Sequence, residues 1–225
     1  MKAQLVTLSS LFFISLSSSV LASDAIVNES LEQKKQDKIS YHSQDIRNVQ
    51  SSITGEYESY EDADAISLDG TYGINDKASV GITYKNYSFD YDDEASDVMS
   101  LTGQYNISSN VVIDGVWNNI DGEYNNYRFG GNYVGDARFG VWNVGANYYG
   151  GDLADGFDVE AGVLVPFGNM YYRGDFTYFV DAEGYENIFE NKVGWTNGKI
   201  DVNASVSTYE LGEDTFFGVE LGYLF

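Results

Sequence analysis

The sequence contains no cysteine, one proline, one histidine and only 12 Lys+Arg against 35 Asp+Glu. Each shortage excludes something. Without cysteine there is no disulfide staple, no thiolate nucleophile and no thiolate metal site. A formal net charge of -23 excludes a basic patch of the kind that binds nucleic acid or anionic lipid. With His42 the sole histidine, the commonest general base is missing from almost the whole chain. No apolar run is long enough for a transmembrane helix, because the longest, Leu5 to Leu16, is short and diluted with Ser and Thr. With Pro166 the only proline, nearly every backbone donor remains available to a sheet.

What is abundant is glycine (24) and tyrosine (19), set in segments that alternate with a period of two. The last nine residues show the pattern most plainly. Phe217, Val219, Leu221, Tyr223 and Phe225 fall on one face of a strand, and Gly218, Glu220 and Gly222 on the other, with Leu224 as an apolar exception. A strand that is oily on one side and polar or tiny on the other suits a wall between lipid and water. Such a strand, ending on an aromatic residue, resembles the closing strand of bacterial outer-membrane β-barrels. That resemblance implies that Phe217, Val219, Leu221, Tyr223 and Phe225 form the signal read by the barrel-assembly machinery. It also implies an outer-membrane location, in contact with lipid and lipopolysaccharide.

The other end of the chain agrees. Met1-Lys2, the apolar stretch and Val20-Leu21-Ala22 read as a signal peptide over residues 1–22. An exported chain without a spanning helix crosses a membrane with strands, if it crosses one at all. The alternative for the same alternation is a secreted β-sandwich. Residues 23–50 differ from everything after them. They lack glycine and hold Lys34, Lys35, Lys38 and Arg47, with helix-favouring Leu31–Lys35 and isoleucines at 39, 46 and 53. They read as a periplasmic tail or short helical arm, or as a plug whose lysines enter an acidic lumen.

From residue 51 to 225 the alternation continues, giving an all-β, closed, antiparallel, transmembrane up-and-down barrel of about twelve strands. Short polar turns are expected around residues 75, 108, 135, 168 and 197. Longer, acid-rich tips are expected around 62, 92, 122, 153, 183 and 212. Short periplasmic turns and longer outer loops fix the orientation, with both chain termini periplasmic. One segment stays ambiguous: Ala137–Tyr149 places Phe139 and Trp142 on opposite faces.

The same parity predicts the pore-lining residues: Glu56, Glu58, Asp69, Lys85, Asp114, Arg128, Asp158, Glu160, Arg173, Asp175, Lys192, Asp201 and Glu220. About twelve strands make a bore too wide for wall side chains alone to fill. Surplus carboxylates would then draw cations through it. The alternative is a lumen closed by ion pairs, for which Arg173 and Asp175 share a face. Tyr57, Tyr84, Tyr105, Tyr133, Tyr172, Tyr178, Tyr223 and Phe225 read as interfacial girdles, and Tyr171, Phe179 and Tyr209 as inward aromatics able to stack on sugars. Acidic tips such as Asp90–Glu94 and Asp97 lack the spacing of a calcium loop, so no metal or cofactor is assigned. The sequence points to a porin-like channel for small solutes that favours cations. A non-conducting structural or surface-interaction barrel is the alternative. Neither reading calls for catalysis.

Overall fold

The computed structural model describes residues 42–90, 95–153, 155–180, 187–209 and 214–225. Twelve antiparallel strands follow one another in chain order: β1 (Ser52–Ser59), β2 (Ala63–Asn75), β3 (Ala78–Phe89), β4 (Ala95–Ser108), β5 (Val111–Ile120), β6 (Tyr124–Ala137), β7 (Gly140–Gly151), β8 (Gly156–Phe167), β9 (Met170–Val180), β10 (Ile188–Thr196), β11 (Ile200–Tyr209) and β12 (Asp214–Leu224). Each pairs with its sequence neighbours, and β1 pairs with β12 to close the barrel. The seam runs the full length of β1, from Ser52 opposite Leu224 to Ser59 opposite Phe217. Closure leaves no edge strand, which is the condition for a sheet to sit in hydrocarbon.

Outward positions are apolar and inward positions polar along nearly every strand. Ile66, Leu68, Val80, Ile82, Val219 and Leu221 are exposed, Leu221 at 60%. Ser67, Asp69, Ser79, Thr83 and Glu220, one residue away on the same strands, are buried. A water-soluble protein would not show this inversion. A barrel with lipid outside requires it. Outward rings also meet in pairs, as in Tyr133–Trp142 at 5.9 Å and Tyr148–Phe157 at 5.3 Å.

Turn chemistry explains the short end. Asn75 Oδ1 accepts from the N–H of Lys77 (2.8 Å) and of Ala78 (3.1 Å). Asn197 Oδ1 accepts in the same way from Lys199 (3.0 Å) and Ile200 (2.8 Å). Gly198 has φ 82 there, the left-handed conformation that a tight hairpin demands.

The ambiguous segment resolves against the expected turn at residue 135. β6 continues through Gly135 and Asp136 to Ala137, and the chain reverses at Arg138–Phe139. Phe139 thus belongs to a turn, and its conflict with Trp142 disappears. The cause is steric: Gly135 lies opposite Trp142 in the register, and a side chain there would collide with the indole. The glycine that looked like a turn signal is clearance for a ring. The tips at 91–94, 181–186 and 210–213 lie outside the described residues, as do residues 1–41.

A charge placed in the lipid belt tests the inside-out arrangement. Val219→Arg, midway along β12, should cost about 2–4 kcal/mol in urea unfolding from lipid vesicles. Ile74→Arg, near the end of β2, should cost about 0–1 kcal/mol. Equal costs would contradict the placement.

Candidate functional site: the lumen

All of the predicted pore-lining residues occupy inward positions, and all but Asp201 gather into two charged groups. The first spans β10, β12, β1, β2 and β3. Lys192 Nζ lies 3.2 Å from Glu220 Oε2 and 3.9 Å from Glu190 Oε1. Lys85 pairs with Glu58, whose other bond comes from the Tyr60 hydroxyl at 2.7 Å. Ser67 reaches Glu56 at 3.5 Å, and Asp69 accepts from Thr83 (2.8 Å) and Thr71 (3.1 Å).

The second group spans β5, β6, β8 and β9. Arg128 reaches Asp158 (3.1 Å) and Glu160 (2.5 Å), and lies 3.8 Å from Asp114. Asn147 and Asn132 donate to those same two carboxylates on β8. Arg173 makes a two-pronged bond to Asp175 at 2.6 and 3.0 Å. Buried charges need such pairing and bonding, because an isolated one would cost far more than its partner returns.

Residues 42–50 cross the turn-bearing end of the lumen as a strap of turns without helix. One side meets β9 and β11. His42 packs edge-on to Tyr171 at 5.2 Å, Ser43 donates to Asp201 (2.8 Å), and Arg173 donates to the Gln44 carbonyl (2.6 Å). Asp201 also accepts the Tyr171 hydroxyl at 2.6 Å. The other side meets β4 and β6. Gln104 donates to the Ile46 carbonyl (2.7 Å), Asn106 donates to the Arg47 carbonyl, and Arg47 bridges Asp45 (2.7 Å) and Asp136 (2.6 Å). Burial works to lower the Arg47 pKa, but hydrogen bonds and charge from Asp45 and Asp136 outweigh it, so the guanidinium stays protonated.

The opposite end is filled by apolar side chains that point inward. Tyr149, Phe179, Ile188, Tyr209 and Phe216 form one cluster, and Ala65, Tyr87, Val98 and Ile120 another. Tyr60 joins them, stacked on Phe216 at 4.6 Å and 6.1 Å from Tyr87. Between this cap and the strap lies a cavity of about 80 Å³, bordered by Ile46, Thr102, Asp114, Arg128, Glu160 and Arg173 among others. The wide bore expected from strand number is therefore partly occupied: residues 42–50 take up space at one end and a set of inward rings at the other.

Sequence reasoning missed Glu190, the strap's seat and the cap. Glu190 shares the parity of Lys192 two residues on, so the signal was present. The cap also leaves a trace, the aromatic doublets Tyr148-Tyr149, Tyr178-Phe179 and Phe216-Phe217. A doublet on a barrel strand sends one ring to lipid and the other to the lumen. The inward aromatics Tyr171, Phe179 and Tyr209 are all buried in these contacts.

No protein-family model matches the chain, and no curated protein sequence matches it. Solved structures do match in fold. A structure of the KdgM porin superposes with a TM-score of 0.61 at 14% identity, covering 77% of this chain and 99% of that one. The "KdgM porin in complex with disordered oligogalacturonate" gives 0.62 at 14% identity, with the same coverage. The Acinetobacter baumannii outer membrane protein Omp33 gives 0.55 at 13%, covering 79% and 98%. At these identities the likeness is one of fold. This chain has the architecture of a small, porin-like bacterial outer-membrane barrel.

The buried ion pairs set a second test. Lys192→Met strands Glu190 and Glu220 and should destabilise the barrel by about 3–5 kcal/mol in urea titration. Adding Glu190→Gln and Glu220→Gln should recover most of that loss. No recovery would show that Lys192 acts by packing and not by charge.

Proposed function

We propose that the chain is a narrow outer-membrane channel for passive diffusion of small solutes, with a preference for cations. One observation carries the reading: inward carboxylates outnumber inward cations. Glu56, Glu58, Asp69, Asp114, Asp158, Glu160, Asp175, Glu190, Asp201 and Glu220 face Lys85, Arg128, Arg173 and Lys192. After every cation is paired, carboxylates remain, and their field in a low-dielectric wall attracts cations and repels anions. The KdgM porin was solved with an oligogalacturonate, an acidic sugar chain. Surplus acid in this lumen disfavours such a cargo here. The reading assigns no catalytic step. His42 Nδ1 accepts the Gln44 N–H at 3.2 Å within the strap.

The filled ends favour a second reading, a non-conducting structural or surface-interaction barrel. Planar bilayers separate the two. In a salt gradient the purified chain should carry current whose reversal potential favours K⁺ over Cl⁻, and Asp114→Asn with Glu160→Gln should move that potential toward zero. No current, with or without residues 23–50, would leave the second reading.

Biogenesis belongs to the same proposal. Phe217, Val219, Leu221 and Tyr223 lie on the outward face of β12, and Phe225, one residue past its end, is exposed with them, where the barrel-assembly machinery would engage them. Removal of Phe225 should lower the folded yield in cells while leaving folding into pure lipid largely intact. Equal losses in both settings would point to barrel stability instead.

A further inference from the structure

We infer that residues 42–50 are a releasable closure of the periplasmic mouth, held shut by Arg47 as its latch. The inference rests on the channel reading for its purpose, but its structural content stands apart from it. The strap's own backbone bonds are local: Asp45 N–H to the His42 carbonyl and Asn48 N–H to the Asp45 carbonyl, both 3.0 Å. Its hold on the barrel is made by side chains, so it can leave without breaking a single strand-to-strand bond. A structural element of the wall would be woven into the ladder, as Ser52 onward is.

Arg47 is where the hold concentrates. Its guanidinium takes both oxygens of Asp45 (2.7 Å to Oδ2 and 3.0 Å to Oδ1), both oxygens of Asp136 (2.6 and 3.1 Å) and the Ser109 carbonyl (3.2 Å), and the Arg47 carbonyl accepts from Asn106. Asp45 travels with the strap, whereas Asp136 and Ser109 belong to the wall. The two anchors differ in character. The side chain of Asp45 is 1% exposed and that of Asp136 67% exposed. The Arg47–Asp136 contact therefore reaches water at the mouth and is open to competition by ions or a periplasmic partner.

Loss of Arg47 has a directional consequence. Asp45 would remain buried without its cation, which is costly enough to drive that carboxylate, and the strap with it, toward water. Loss of Asp136 frees only the wall end, so its effect is smaller. Because Ile46 and Thr102 border the same cavity, release of the strap exposes Thr102 to the periplasmic side.

The chain has no cysteine, so Thr102→Cys supplies one background-free reporter. Labelling by a small, charged, water-soluble thiol reagent should be slow in the T102C barrel. It should be about tenfold faster or more with Arg47→Ala, as expected for loss of a buried ion pair. Asp136→Asn should fall between, and Arg47→Lys nearer the parent. Heat-resistant gel migration establishes that each variant is folded. Asp136→Asn changes a solvent-exposed side chain and serves if Arg47→Ala does not fold. Unchanged labelling in the folded variants would overturn the closure, even where current flows. Faster labelling with no current in any variant would support the closure and remove the channel reading.

Discussion

Hydrocarbon offers no hydrogen bonds, and that single constraint organises this molecule. Every amide in the belt must find a partner inside the sheet, so the sheet must end where it began. The β1–β12 seam, eight residues long from Ser52 to Ser59, satisfies that demand. Once the sheet is sealed, side-chain parity has only two destinations. One parity goes to lipid, which explains an exterior as oily as a normal protein core. The other goes to the bore, which explains an interior of serine, asparagine and charge.

That interior is a different problem from a hydrophobic core. Polar side chains inside a membrane barrel gain little from burial and must be stabilised by bonds to one another. The two charged groups do this on arcs of the wall that meet where Lys192 lies opposite Arg173 in the register, each built around long basic side chains that several carboxylates share. Twelve strands leave space between them. The strap takes up part of that space at one end, and the aromatic cap takes up part at the other. Both closures come from the chain itself, and they differ in kind. The cap is apolar and belongs to the strands, while the strap is polar and precedes them.

Much of this was legible in the sequence because period-two alternation follows directly from a two-faced wall. The barrel, its strand number and the inward set from Glu56 to Glu220 all follow from that parity. Legibility failed where a residue answered to a neighbour across the barrel. Gly135 reads as a turn residue along the chain and as clearance for Trp142 across it. Tyr149 and Phe216 have no place in the sequence reading, because their packing in the cap depends on rings contributed by distant strands. The strap was hardest to see. Nothing local in Ser43, Gln44 or Arg47 indicates partners such as Asp201, Arg173 and Asp136, far along the chain.

The central claim is that successive residues of each strand face two different media. Nitroxide labels placed one at a time from Phe217 to Tyr223, in a chain free of cysteine, measure this directly in reconstituted membranes. Collision with oxygen, which partitions into lipid, should peak at 217, 219, 221 and 223 and dip at 218, 220 and 222. A flat profile, or one dominated throughout by a water-soluble relaxer, would contradict it.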